Sequence, residues 1–130
     1  EVEYRPGATH VFTPAATAWG QRAGVCQDMV HLVIGALRSI DIPARYVSGY
    51  FHPEAEPVIG ETVAGESHAW VEWWDQGWRG FDVASMEAPS DRYVTVAFGR
   101  DYPDVRPLAG IYSGGETSGM FVDVEVTRLA

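Results

Sequence analysis

The chain has 130 residues, a formal charge of −9 and an isoelectric point near 4.7. All nine basic residues are Arg and Lys does not occur, so the basic face that phosphate binding needs is missing and nucleic acid is excluded as the expected partner. No apolar run approaches the roughly 18 residues of a membrane span, and a lone cysteine forms no internal disulfide, which leaves the compartment open with the cytoplasm as default.

A chain of this length can bury a core without disulfides or metals. It opens mid-phrase at Glu1-Val2-Glu3-Tyr4, without an initiator Met or a signal peptide. It therefore reads as one domain, 1–130, cut from a longer protein. Residues 1–14 carry Pro6-Gly7 and Pro14 and predict an irregular lead-in. Thr13 as N-cap and Pro14 as first helical residue predict a short helix to Gln21.

Gly24-Val25-Cys26 then introduces the stretch around which the rest is arranged. Gly24 suits a sharp turn, because it lacks a Cβ. From Cys26 to Ile40 the chain is apolar, contains no Pro, and stops before Asp41-Ile42-Pro43, which predicts a helix of about four turns. At about 100° per residue, Met29, Val30, Val33, Leu37 and Ile40 share a side with Cys26, while Gln27, Asp28, His31, Arg38 and Ser39 lie opposite. Cys26 thus combines an apolar face with a helix N-terminus, whose unpaired N–H groups and dipole stabilise negative charge.

Ala44 to Phe51 predicts a strand, and the acidic stretch 52–66, with Glu54, Glu56, Glu61 and Glu66, a loop. Ser67 to Trp74 and Trp78 to Ala84 predict a hairpin closed at Asp75-Gln76-Gly77. A three-residue turn with Gly77 in the left-handed region puts His68 and Asp82 on one face. It gathers Ala69, Val71, Trp73, Phe81 and Val83 on the other. Tyr93 to Phe98 predicts a further strand, 99–118 a loop, and Met120 to Arg128 a last strand. Helices first, strands after, predict an α+β fold with an antiparallel sheet.

A thiol nucleophile needs a base, and the base needs a group to orient it. On residue types alone Cys26 also reads as a small buried hydrophobe. Of four histidines, His10 lies in the lead-in, His31 on the polar side of the Cys26 helix, and His52 at the opening of the acidic loop. His68 stands among Ala69, Trp70 and Val71, and Asp82 between Phe81 and Val83. Polar groups in such company must find partners. The four Trp of the hairpin read as core or cleft wall. No His, Cys or Asp set has zinc spacing and no calcium loop is visible, so neither metal nor cofactor is expected.

Gly24-Val25-Cys26-Gln27-Asp28-Met29-Val30-His31, Ala36 to Tyr50, Ser67-His68-Ala69-Trp70-Val71-Glu72 and Gly77-Trp78-Arg79-Gly80-Phe81-Asp82 resemble the core motifs of the bacterial transglutaminase-like proteins. Gly99 to Val105 and Gly110-Ile111-Tyr112 are similar to that family's tail. The resemblance implies a papain-like fold in which the N-terminal helix bearing the cysteine packs on the antiparallel sheet. It implies a Cys-His-Asp triad carried by Cys26, His68 and Asp82. One departure is Val83-Ala84 where the family usually has Pro-Thr, and the family's upstream β-rich region is absent from this stretch. The oxyanion donors are the Cys26 backbone N–H and, as first choice for a second, Gln21, with Gln27, Tyr4 and Trp19 as others. The expected activity is cysteine-dependent hydrolysis of an amide bond in a protein or peptide through a thioester. The alternatives are glutamine acyl transfer to a Lys amine, and a binding or assembly module without turnover.

Overall fold

The computed structural model describes residues 1–107, 110, 113–115 and 122–130. A four-stranded antiparallel sheet in the order β6–β5–β3–β7 is its centre. β3 is Ala44–Phe51, β5 Glu66–Trp74, β6 Trp78–Phe81 and β7 Tyr93–Gly99. Helix α2, Cys26–Ser39, lies across one face. Before it come β1 (Glu3–Tyr4), α1 (Ala15–Gln21) and β2 (Ala23–Gly24), with β1 and β2 paired in parallel. β4 (Thr62–Ala64) pairs with β8 (Glu125–Thr127), and a single turn of helix, α3 (Tyr102–Val105), follows β7.

Alternation along the strands decides which side chains meet α2. Ala44 and Tyr46 of β3, Ala69 and Val71 of β5, and Val30 and Ile34 of α2 form a buried cluster, with Trp73, Phe81, Val83 and Ala97 against it. The opposite face carries Arg45, His68, Trp70 and Glu72. Arg45 pairs with Glu72 at 2.6 Å and is sandwiched between Trp78 and Phe98, about 4 Å from each ring centroid. Trp74 and Trp78 form an edge-to-face pair here and are half-exposed; they belong to neither core nor cleft, unlike Trp70 and Trp73.

Three local expectations need correction. Pro14 is the N-cap of α1, in extended conformation and without a side-chain cap, and the helix proper starts at Ala15. The hairpin has the expected register, Trp74 opposite Trp78 and Val71 opposite Phe81, but Gln76 (φ 56°), not Gly77, takes the left-handed conformation. The last strand is Glu125–Thr127; Met120 and Phe121, where it was expected to begin, lie outside the described residues.

β7 contains a bulge. Ser48 pairs with Ala97 and Gly49 with Thr95, so Val96 is the extra residue. The bulge resets alternation and brings Tyr93 opposite Phe51, on the face that carries His68. Gly49 permits the close approach: a Cβ there would lie 2.1 Å from the Val94 carbonyl oxygen.

Candidate active site

Cys26 is the first residue of α2 and is half-buried. The first N–H groups of a helix have no carbonyl one turn earlier to bind. One of those at this terminus is capped: the Val25 N–H donates to the Asp28 carboxylate at 2.8 Å. Asp28 is fully buried and also accepts from the Thr9 hydroxyl at 2.5 Å, tying the lead-in to the helix start. Gly24 is required for contact rather than for a turn. Its φ is not positive, and a Cβ would come within 2.8 Å of the Asp28 side chain.

His68 reaches the thiol around an open edge. β6 pairs with β5 only from Val71 to Trp74, whereas β3 pairs with β5 throughout. Residues 66–70 of β5 therefore have no strand on the β6 side. There the imidazole, on the face away from α2, hydrogen-bonds Asp82, Nε2 to Oδ2 at 2.7 Å, and lines the same cleft as Cys26. Burial alone would lower the His68 pKa. The hydrogen bond to Asp82 and the neighbouring Cys26, with their charges, outweigh it and raise the pKa to about 9. The imidazole is thereby held as imidazolium at neutral pH.

Asp82 follows β6 and is 1% exposed. Burial works to raise its pKa, but donors prevail and hold it well below the usual carboxylate range. Besides His68 these are the Tyr93 hydroxyl to Oδ2 at 2.8 Å and the Ala84 N–H to Oδ1 at 2.9 Å. A turn closed by the Met86 N–H on the Asp82 carbonyl, at 2.8 Å, supplies the latter. The Val83-Ala84 departure thus still furnishes a backbone donor.

The cleft over Cys26 and His68 has a volume of about 280 Å³, with Val11, Val25, Tyr46, Tyr50 and Tyr102 on its walls. Gln21 does not belong to it: the side chain ends α1 and is exposed. Its place as an oxyanion donor is withdrawn for that reason. Trp19 is half-exposed beneath Arg22 and also lies off the cleft. Gln27 lines it, but its amide already donates to the Val11 carbonyl at 3.0 Å. Tyr4 is half-exposed in β1 and is likewise not among the residues that line the cleft. Burial and then the neighbouring Cys26, Glu66 and Asp82 raise its pKa, so its hydroxyl stays a donor.

Of the other histidines, His31 accepts the Tyr102 N–H at 3.2 Å and burial lowers its pKa; His10 is exposed and His52 buried. Among the acidic residues of the 52–66 stretch only Glu66 makes itself felt near the thiol, through Tyr4, while Glu54, Glu56 and Glu61 are exposed and off the cleft. Among the described residues no group of His, Cys, Asp and Glu could hold a metal ion, and no helix is long and apolar enough to cross a membrane.

Residues 1–83 match the transglutaminase-like superfamily. The chain belongs to that superfamily, a family of cysteine-dependent enzymes with a papain-like α+β core. It is similar over its whole length to an uncharacterized protein of Mycobacterium leprae, 48% identical and 47% covered, and over 95% of its length to one of Mycobacterium tuberculosis, 37% identical and 42% covered. It thus spans just under half of those relatives. Over 52% of its length it is 36% identical to a protein-glutamine gamma-glutamyltransferase of Pseudomonas aeruginosa, 11% of which is covered. A crystal structure of a candidate cysteine protease from Cytophaga hutchinsonii matches 81% of the chain and 34% of its own, with a TM-score of 0.66 and 36% identity.

Proposed function

We propose that this chain is the catalytic core of a thiol enzyme that opens amide bonds in a protein or peptide, with Cys26 as nucleophile, His68 as acid and base, and Asp82 as the group that orients His68. The observation that carries this reading is that His68, bonded at 2.7 Å to the buried Asp82 carboxylate, lines the same cleft as Cys26 at the start of α2. The Cys26 thiolate adds to the carbonyl carbon, and the oxygen takes the negative charge. The backbone N–H of Cys26, at the start of α2, is the donor proposed to receive it. The tetrahedral adduct collapses, the C–N bond breaks, and His68 gives its proton to the departing nitrogen. A thioester remains. Asp82 accepts from Nε2–H throughout, so the other ring nitrogen faces the sulfur.

What resolves the thioester sets the name of the reaction. Water, losing a proton to His68, yields a carboxylate and returns the thiolate; the similarity to a candidate cysteine protease favours this outcome. A Lys amine in place of water yields a new amide, and the similarity to a gamma-glutamyltransferase favours that one. An intact arrangement of the three groups argues against a module without turnover. Mass spectrometry of peptides incubated with the full-length protein separates the outcomes as cleavage, a one-dalton deamidation shift, or amine incorporation. Each is expected to vanish in Cys26→Ser; product that persists in that variant overturns the reading.

A further inference from the structure

We propose that Tyr93 is a positioning residue of this site: it shares one oxygen of Asp82 with His68 and sets how firmly the carboxylate holds the imidazolium. The inference rests on the thiol-enzyme reading. Asp82 Oδ2 receives two donors, His68 Nε2 at 2.7 Å and the Tyr93 hydroxyl at 2.8 Å, in a place where the carboxylate is 1% exposed. A buried charge that accepts several hydrogen bonds divides its negative charge among them. The Tyr93 proton is firmly held, because burial opposes its loss and the neighbouring carboxylates Asp82 and Glu87 add to the effect. Ser85 Oγ stands 3.4 Å from the same hydroxyl and works the other way, second only to burial.

The fold gives this tyrosine few alternatives. Its ring meets Phe51 at 4.8 Å and Trp70 edge-on at 5.3 Å, and lies 6.0 Å from the His68 ring. Phe51 and Trp70 also flank His68, at 5.6 and 6.5 Å. Three aromatic rings thus pack around the imidazole. The β7 bulge is what turns Tyr93 to this face; unbroken alternation would have set Val94 opposite Phe51 and Tyr93 on the other side. The charged and titratable groups around the pair are Cys26 from α2, Asp82 and Glu87 from the turn after β6, Tyr93 from β7, Glu66 from β5 and Tyr4 from β1.

Tyr93→Phe keeps the ring contacts and removes only the hydroxyl. Asp82 then holds the imidazolium more strongly, and His68 gives up its proton at higher pH. Iodoacetamide alkylation of Cys26, the one cysteine of these 130 residues, followed from pH 4 to 10 on the full-length protein by the mass of the peptide that carries it, reads this directly. The high-pH step of the profile, which marks loss of the imidazolium proton, is expected to move up by about half a pH unit in Tyr93→Phe. It should move down in Asp82→Asn, and Tyr93→Phe added to Asp82→Asn should shift it little further. His68→Ala should abolish this step together with the fast alkylation below it, leaving the single titration of an unassisted thiol at about pH 8.5. If His68→Ala abolishes it and Tyr93→Phe leaves it unmoved, Tyr93 is only a wall of the aromatic box and the inference fails alone. If His68→Ala leaves the profile unchanged, the thiol-enzyme reading fails and takes the inference with it.

Discussion

On the face of the sheet turned to α2, Ala44, Tyr46, Ala69 and Val71 are buried with Val30 and Ile34 of the helix. On the other face, the intervening residues of the same strands are Arg45, His68, Trp70 and Glu72, each paired with a charge, a hydrogen bond or a ring. The first face is held by apolar area removed from water, the second by specific partners. Stability and chemistry are therefore separable by single substitutions on opposite faces of one strand, at His68 and Val71 of β5. The largest effect is expected on the chemical side. Cys26→Ser and His68→Ala should each lower turnover of a susceptible peptide by about 10⁴-fold or more, with thermal unfolding of Cys26→Ser close to that of the parent. A Cys26→Ser protein that has also lost its cooperative melt would show that the two jobs are not separate.

The converse substitution lies one strand position beyond Trp70. Val71 is fully buried between Tyr46 and Phe81. Val71→Ala removes two methyl groups from the core and leaves a small cavity, at a cost of about 2–3 kcal/mol. Chemical denaturation should register that loss, while the high-pH step of Cys26 alkylation stays in place. A step that moves with Val71→Ala would mean that core and site are coupled through β5.

A pH series sharpens the same comparison, since the core face carries no titrating group comparable to His68. The folded-state pKa of His68 is raised to about 9 against about 6.5 for the unfolded chain. The stabilisation this represents is complete below about pH 6.5 and is lost as pH rises through about 9. Asp82 is shifted the other way, so its contribution is present above about pH 4 and is lost as pH falls further. The stability difference between the parent and His68→Gln should therefore be greatest between about pH 4 and 6.5 and shrink toward pH 9. A difference that stays constant over this range would detach His68 from Asp82 in solution. The same titration should cut kcat/KM above about pH 9, because the imidazolium that protonates the departing nitrogen is gone.

What could be read from the amino-acid order alone follows from where each constraint originates. Period-two alternation through the expected strands Ser67 to Trp74 and Trp78 to Ala84 put His68 and Asp82 on one face, because a hairpin is short-range and its register depends on a few turn residues. The helix from Cys26 was legible from its apolar stripe and the stop at Pro43. Tyr93 was not, because its orientation depends on one extra residue in β7, and a bulge is set by the partner strand, here by the missing Cβ of Gly49. Asp28 likewise fell on the polar side of the Cys26 helix in sequence and is the buried cap of α2, bound to a threonine 19 positions away. Gln21 was favoured as a donor for its nearness to Cys26 in sequence, but α1 ends with that side chain turned to solvent. Contacts made across the fold decide such cases.

The smallest expected effect concerns the turn that sets the hairpin register. Asp75-Gln76-Gly77 looked like a loop with glycine in the left-handed position, yet Gln76 occupies it at φ 56° while Gly77 does not. A residue with a Cβ is disfavoured there by about 1–2 kcal/mol, and a glycine costs about 0.4–1 kcal/mol of unfolded-chain entropy. The two partly cancel, so Gln76→Gly should stabilise the protein by roughly 0.5–1 kcal/mol. Gly77→Ala meets nothing within 4 Å of the added Cβ, and with φ outside the left-handed region it should be neutral or stabilising by a few tenths of a kcal/mol. Chemical denaturation of both variants distinguishes the two turn geometries. If Gly77→Ala costs more than about 1 kcal/mol and Gln76→Gly gains nothing, the glycine occupies the left-handed position in solution. The hairpin would then be a type I turn with a bulge, and its Trp74–Trp78 register would still keep His68 and Asp82 on one face.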